Sequence, residues 1–245
     1  DSNFFDEFPL PVCEYVTACE LSNTVQSKLG DANFSMVHVN CRGLYTNFQN
    51  LNTLLNSLSF IVPVIAVTET RTTSDSETNY NIPAYNFEVK SRTHKSGGGV
   101  GLYILNNIAY KMRDDLIFDL PDVFESVFVE LVSLNIIGGC VCRSPNSDLA
   151  LFNARFDTLL SEINCSKQRC YIASDFNINL LKYEEHESTA NYVNCIFSHS
   201  FFPCINKPTR ITTSSATLID NIITNACFEQ TINPAIIYSD ISDHL

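Results

Sequence analysis

The chain has 245 residues, 45% of them hydrophobic, which is enough for one sizeable core or two small ones. Its formal net charge of −12 argues against a surface that grips nucleic acid everywhere. Its 10 cysteines include no CxxC pair, and a chain of this length has no need of a disulfide framework, so they read as reduced thiols of an intracellular protein, and zinc is not expected.

In chain order, residues 1–33 are polar, carry Pro9 and Pro11, and read as an irregular leader. The chain begins at Asp1 without a basic-then-apolar signal segment, and reads as a piece of something longer. Residues 34–40 form a strand ending in Asn40. Thr46 is expected to cap a helix running to about Phe60, with Phe48, Leu51, Leu54, Leu55 and Leu58 as its apolar stripe. The run 61–67 reads as a strand buried on both faces, and Pro63 interrupts it too early for a membrane span. It ends in Thr68-Glu69-Thr70-Arg71.

Strands are expected at 85–89, 100–105, 110–112, 126–131 and 135–142. Gly97-Gly98-Gly99 lack the Lys-Ser/Thr and the helix of a phosphate loop, and so predict a tight turn between strands. Asp148 caps a second helix with Phe152, Phe156, Leu159, Leu160 and Ile163 on one face. A strand at 170–177, a helix at 188–198, a strand at 201–205, a turn at 207–210 and strands at 217–223 and 235–238 complete the chain. The pattern predicts one domain of mixed, mostly antiparallel sheet with helices outside, in the form of two packed sheets.

The chemistry gathers at strand ends. Asp175 and Asn177 lie two apart where an apolar strand leaves the core, so a proton acceptor and a carboxamide emerge on one face. Such a pair also closes strands into turns. Asp220 interrupts the apolar run 217–223, and a charge there needs a partner, for which a nearby histidine is suited. Asn40, Glu69, Asp243 and His244 occupy similar positions.

In order and spacing, Asn40 in Val-His-Val-Asn-Cys-Arg-Gly-Leu, Glu69 in Val-Thr-Glu-Thr-Arg, Ser-Asp175-Phe-Asn177, Leu-Ile-Asp220-Asn-Ile and Ser242-Asp243-His244 resemble the endonuclease/exonuclease/phosphatase superfamily. Arg143-Ser-Pro-Asn146, Lys207-Pro-Thr209-Arg210-Ile-Thr and Leu218-Ile-Asp-Asn-Ile-Ile-Thr-Asn225 are similar to the apurinic-endonuclease-like domain of LINE-type (non-LTR) retrotransposons. The resemblance spans 34–245 and implies a four-layer α/β sandwich with two mostly antiparallel sheets face to face.

It also implies a Mg²⁺-dependent endonuclease, with Mn²⁺ as the alternative ion, nicking double-stranded DNA to leave a 3′-hydroxyl that primes reverse transcription. Glu69, with Asn40 beside it, would hold the metal. Asp175 would activate water and Asn177 would steady it. His244 would donate to the phosphate while Asp220 holds its ring, and Asp243 would support the network. Arg42, Arg71, Arg143, Asn146, Thr209 and Arg210 would bind DNA or phosphate. A reverse transcriptase in the same longer polyprotein, no membrane, and a nuclear site of action follow from the same resemblance.

Two residues depart from the family pattern. Cys142 stands where a phosphate-contacting Tyr is usual, and Ser174 stands where Gly is usual. The chain also stops after Asp243-His244-Leu245, where the family continues, which implies an incomplete last strand edge. With a net charge of −12 the positive charge must be focused, so a basic rim of Arg42, Arg71, Arg143, Lys207 and Arg210 is expected, with Lys90, Arg92 and Lys95 as a separate patch. Two rival readings are a phosphatase or phosphodiesterase of the same superfamily, and a catalytically decayed DNA- or protein-binding module.

Overall fold

The computed structural model describes residues 12–28, 34–73, 77–92, 97–227 and 231–245. Its elements are β1 (Glu14–Val16), α1 (Ala18–Lys28), β2 (Met36–Asn40), α2 (Leu44–Ser57), β3 (Val64–Thr68), β4 (Tyr85–Lys90), β5 (Val100–Leu105), β6 (Tyr110–Met112), β7 (Phe124–Leu131) and β8 (Ile136–Arg143). Then follow α3 (Leu149–Cys165), β9 (Arg169–Asp175), α4 (Glu187–Ser198), β10 (Phe202–Pro203), β11 (Arg210–Ile211), β12 (Ala216–Thr217), β13 (Asp220–Thr224) and β14 (Ala235–Ile237).

Two main sheets carry the fold. One has the order β2-β3-β5-β4, the other β10-β13-β9-β8-β7-β6. Only β2/β3 and β8/β9 are parallel within them; the remaining pairs are antiparallel. Alternation decides which side chains meet between the sheets. Val64, Ala66, Leu102 and Ile104 of the first face Val127, Val129, Leu131, Cys140 and Ala173 of the second in one buried cluster.

The helices close the outer faces. Leu44 and Leu51 of α2 pack with Val39, Ile65, Val67 and Tyr103, while Phe152, Phe156 and Ile163 of α3 and Tyr192 and Ile196 of α4 cover Phe128, Ile137, Val141 and Ile172. The result is the four-layer α/β sandwich expected: helix, sheet, sheet, helix. The ten cysteines are all free. Among the described residues no helix is long and apolar enough to cross a membrane.

Four local expectations differ from the structure. Helix α2 starts at Leu44, capped by Gly43 at φ 106°, because Gly43 and Leu44 donate to the Glu69 and Thr70 carbonyls and so bring the chain round two residues before Thr46. The run 217–223 is not one strand: Thr209 Oγ1 accepts the Ile219 and Asp220 N–H groups, which breaks it into β12 and β13. Pro63 likewise delays β3 to Val64. The leader is ordered over 12–28, where β1 pairs in parallel with β14 and α1 follows; the rest of 1–33 outside 12–28 lies beyond the described residues.

Candidate active site

Strand order brings the strand-end residues together. Asn40 and Thr68 are register partners at the C-terminal ends of the parallel strands β2 and β3, so Glu69 follows directly beside Asn40. In the other sheet β13 runs antiparallel to β9, which sets Asp220 at its start opposite Asp175 at the end of β9. The chain turns sharply at each exit: Arg42, Glu69, Arg71 and Asn177 have φ values of 43°, 50°, 51° and 51°, a left-handed conformation costly for residues with side chains.

Asn40 links the two sheets. Its Nδ2 donates to Asp175 Oδ2 at 2.9 Å and to Glu69 Oε1 at 3.3 Å, while its Oδ1 accepts the Arg42 N–H. It stands beside Glu69 as expected, and its amide also bridges the Glu69 and Asp175 carboxylates. Glu69 is clamped by its neighbours. Thr70 and Arg71 donate backbone N–H groups to the Gly99 and Gly98 carbonyls, and Gly43 donates to the Glu69 carbonyl. A Cβ on Gly99 would collide with Thr70 Oγ1, so the glycines serve this close approach as well as a turn.

Asp175, Asp220 and His244 form a buried group whose ligand atoms all lie within 4.8 Å of one another. His244 Nδ1 donates to Asp220 Oδ2 at 2.8 Å, and Thr209 Oγ1 donates to the same oxygen at 2.8 Å. Asp220 Oδ1 is buried without a hydrogen-bond partner. Burial raises the Asp175 carboxyl far above the usual carboxylate range, and the Asp220 charge opposite adds to the rise. Burial works against a charged His244, but the Asp220 hydrogen bond and charge outweigh it and hold the imidazole above its ordinary value. His38, one strand over, is held down to about 4 by burial and is neutral, sharing a 3.0 Å hydrogen bond with Thr68 Oγ1.

Two buried carboxylates, of Asp175 and Asp220, thus meet one imidazole, with an orphaned carboxylate oxygen between them and Glu69 joined to Asp175 through Asn40. That excess of buried negative charge fits a divalent cation, and the buried Asp-Asp-His group can bind a metal.

Of the residues expected to meet DNA, Arg143 and Thr209 are buried. Arg143 is buried, and its fork holds the Phe176, Asn177 and Ser147 carbonyls, bracing the Asp175–Asn177 turn from below. Thr209 is buried against Asp220. Asn146 sits exposed in the turn after β8 at φ 62°, and no site hydrogen bond among the described residues reaches it. Asn177 gives one amide N–H to the Arg143 carbonyl, and its backbone N–H goes to Asp175 Oδ1. Asp243 pairs with both Arg42 (2.6 Å) and Arg210 (2.7 Å), and Arg71 pairs with Glu69 at 2.8 Å. Despite some burial, the Arg210 bond and the two guanidinium charges hold Asp243 below the usual carboxylate range.

The separate basic patch is neutralised. Lys90 pairs with Asp119, and Arg92 with Glu125 and Ser144, around a cavity of about 150 Å³; Lys95 lies outside the described residues. Cys142 is buried beside Asp175 in the inter-sheet core, and its thiol is pushed up by that burial. Ser174 is buried as well, its hydroxyl without a partner. The residues missed in the sequence are braces: Gly98 and Gly99, and Tyr15, which donates to the Pro208 carbonyl.

Sheet order and the helices outside define a four-layer α/β sandwich, the fold of the solved structures that the chain resembles. No family model and no curated sequence matches the chain. Among solved structures it is similar to the endonuclease domain of TRAS1, a telomere-specific non-LTR retrotransposon, at 9% identity over 85% of this chain and 94% of that one, TM-score 0.63. It is also similar to the AP endonuclease LMAP from Leishmania major, at 11% identity over 81% and 83%, TM-score 0.59. A mannosyl-6-phosphatase from Bacteroides thetaiotaomicron matches at 9% identity over 77% and 83%, TM-score 0.52, so the fold by itself leaves the substrate open.

Proposed function

We propose that this domain is a divalent-cation-dependent DNA endonuclease of the non-LTR retrotransposon type, cutting one strand of duplex DNA to leave a 3′-hydroxyl. The observation that carries the reading is Asp175: a buried carboxylate with a raised pKa where Asn40, Asp220 and His244 meet. Such a group is suited to accept a proton near neutral pH.

In this reading Asp175 takes the proton of the attacking water and Asn177 steadies that water. Asp220 accepts from Nδ1–H and favours the protonated imidazolium, so that Nε2–H can donate to a phosphoryl oxygen as negative charge builds. Thr209 holds the Asp220 carboxylate in place, and Asn40 keeps Glu69 and Asp175 in register. Mg²⁺, with Mn²⁺ as the alternative, would be held by Glu69 with Asn40 beside it, and would polarise the phosphoryl oxygen and ease departure of the 3′-oxygen. Arg42, Arg71 and Arg210, exposed at the cleft edge, would meet DNA phosphates by exchanging their present carboxylate partners.

The likeness to the TRAS1 domain, which extends over 94% of that chain, supports the retrotransposon branch over a phosphatase. In that setting a reverse transcriptase in the same polyprotein would extend the nick, in the nucleus. The test is incubation with nicked-circle readout followed by polymerase extension, beside a phosphomonoester assay. Extendable nicks without phosphate release support the reading, and phosphate release without nicks refutes it.

A further inference from the structure

The stretch expected to be an irregular leader bonds to the loop that holds the Asp220–His244 pair. Strand β1 lies parallel to β14 in the register Glu14↔Ala235, Tyr15↔Ile236 and Val16↔Ile237, and Cys13 is buried in the main core. Tyr15 stacks on Tyr238 at 5.8 Å between ring centroids, and Lys207 Nζ lies over the Tyr15 ring, 5.6 Å from its centroid. Its hydroxyl donates to the Pro208 carbonyl at 2.9 Å, a bond across 193 residues of sequence.

That carbonyl belongs to the peptide plane whose other edge is the Thr209 N–H, which donates to the Thr217 carbonyl at 2.9 Å. Tyr15 and Thr217 therefore pin the plane from both sides. A pinned plane fixes the direction of the Thr209 side chain, whose Oγ1 donates to the Asp220 oxygen that also receives His244 Nδ1. The Thr209 carbonyl in turn accepts the Leu245 N–H, and Arg210 bridges to His244, so the same loop holds the residues on either side of the imidazole.

We propose that Tyr15 is a positioning residue for the Asp220–His244 pair, acting through the Pro208–Thr209 peptide. It touches neither substrate nor reacting atoms. The proposal rests on the endonuclease reading for its kinetic consequence, but not for its structural one.

The test is a double-mutant cycle of Tyr15→Phe and Thr209→Val. Tyr15→Phe keeps the ring and removes only the hydroxyl. It is expected to lower kcat for DNA nicking by about two- to tenfold, the range of one neutral hydrogen bond, with KM within about twofold. In the Thr209→Val background the same change is expected to have no further effect, because both act along one route. The second readout needs no substrate: the downfield proton resonance of His244 Nδ1–H, assigned by its loss in His244→Ala, is expected to shift or broaden in Tyr15→Phe.

Independent effects of the two substitutions on kcat would overturn the proposal. So would a Tyr15→Phe protein with lowered melting temperature but unchanged kcat and unchanged resonance, which is the signature of a merely structural tyrosine. If the wild-type chain cuts no DNA while the resonance responds to Tyr15→Phe, the endonuclease reading fails and the positioning role stands.

Discussion

Replacing Asp175 by Asn is expected to make the metal-free protein more stable and inactive at once. Asp175 is fully buried, accepts hydrogen bonds from Asn40 Nδ2 and the Asn177 N–H, and faces Asp220 across the β9/β13 pair. Its carboxyl is raised in the folded state, by burial first and by Asp220 second. A raised acid adds stability that is fully present below its unfolded pKa and is lost as pH climbs through the folded one. Each pH unit of elevation is worth about 1.4 kcal/mol, so a carboxyl raised to about 8 costs the folded state several kcal/mol once it is ionised. Asn carries no charge and keeps one of the two accepted bonds; setting its NH2 against the other donor, Asn40 Nδ2 or the Asn177 N–H, gives back about 1–3 kcal/mol. In a domain of this size the melting temperature moves about 2–4 °C per kcal/mol, so Asp175→Asn is expected to melt roughly 5–10 °C above wild type at about pH 8.5 in EDTA. At about pH 4.5 the gap is expected to close, because wild-type Asp175 is then protonated. Nicking with Mg²⁺ is expected to fall at least about 100-fold. A variant that melts below wild type at the higher pH, or a gap that does not change with pH, would refute the reasoning.

Mg²⁺ is expected to raise the wild-type melting temperature more at about pH 8.5 than at about pH 5.5, since cation binding needs the ionised carboxylate; calorimetry across pH checks this. Thr209→Val, nearly the same shape, removes the hydroxyl that bonds Asp220 and accepts two N–H groups, and is expected to cost about 1–3 kcal/mol by denaturant unfolding. Gly99→Ala forces a side chain into Thr70 at φ 88° and is expected to destabilise by about 1–3 kcal/mol and to weaken Mg²⁺ binding through Glu69, as read by titration of the thermal shift.

The sheets were legible because their strands are apolar runs of the right length closed by polar residues, and β5 and β6 fall on the expected residues. That Asn40, Glu69, Asp175, Asp220 and His244 belong to one site was implied by the resemblance carried by their order along a series of strand ends. What the sequence hid depends on side chains bonding to distant backbone. Arg143 follows a strand end as Arg42 and Arg71 follow theirs, yet its fork turns inward to three carbonyls, and no local pattern distinguishes it. Thr209 breaks the apolar run 217–223 from ten residues away. Tyr15 looked like part of a polar leader, because its partners lie at Pro208 and Tyr238. Nor did the spacing show that the Asn40 amide joins the Glu69 and Asp175 carboxylates across the two sheets.

The most direct test of the central claim is relaxation of supercoiled plasmid by the purified domain, with Mg²⁺ and with EDTA, beside His244→Ala and Asp175→Asn. The structure leads us to expect open circles that need Mg²⁺, that carry an extendable 3′-hydroxyl, and that disappear in both variants. Nicking that persists in either variant, or that is indifferent to EDTA, would place the chemistry outside the Asp175–Asp220–His244 group and contradict the assignment.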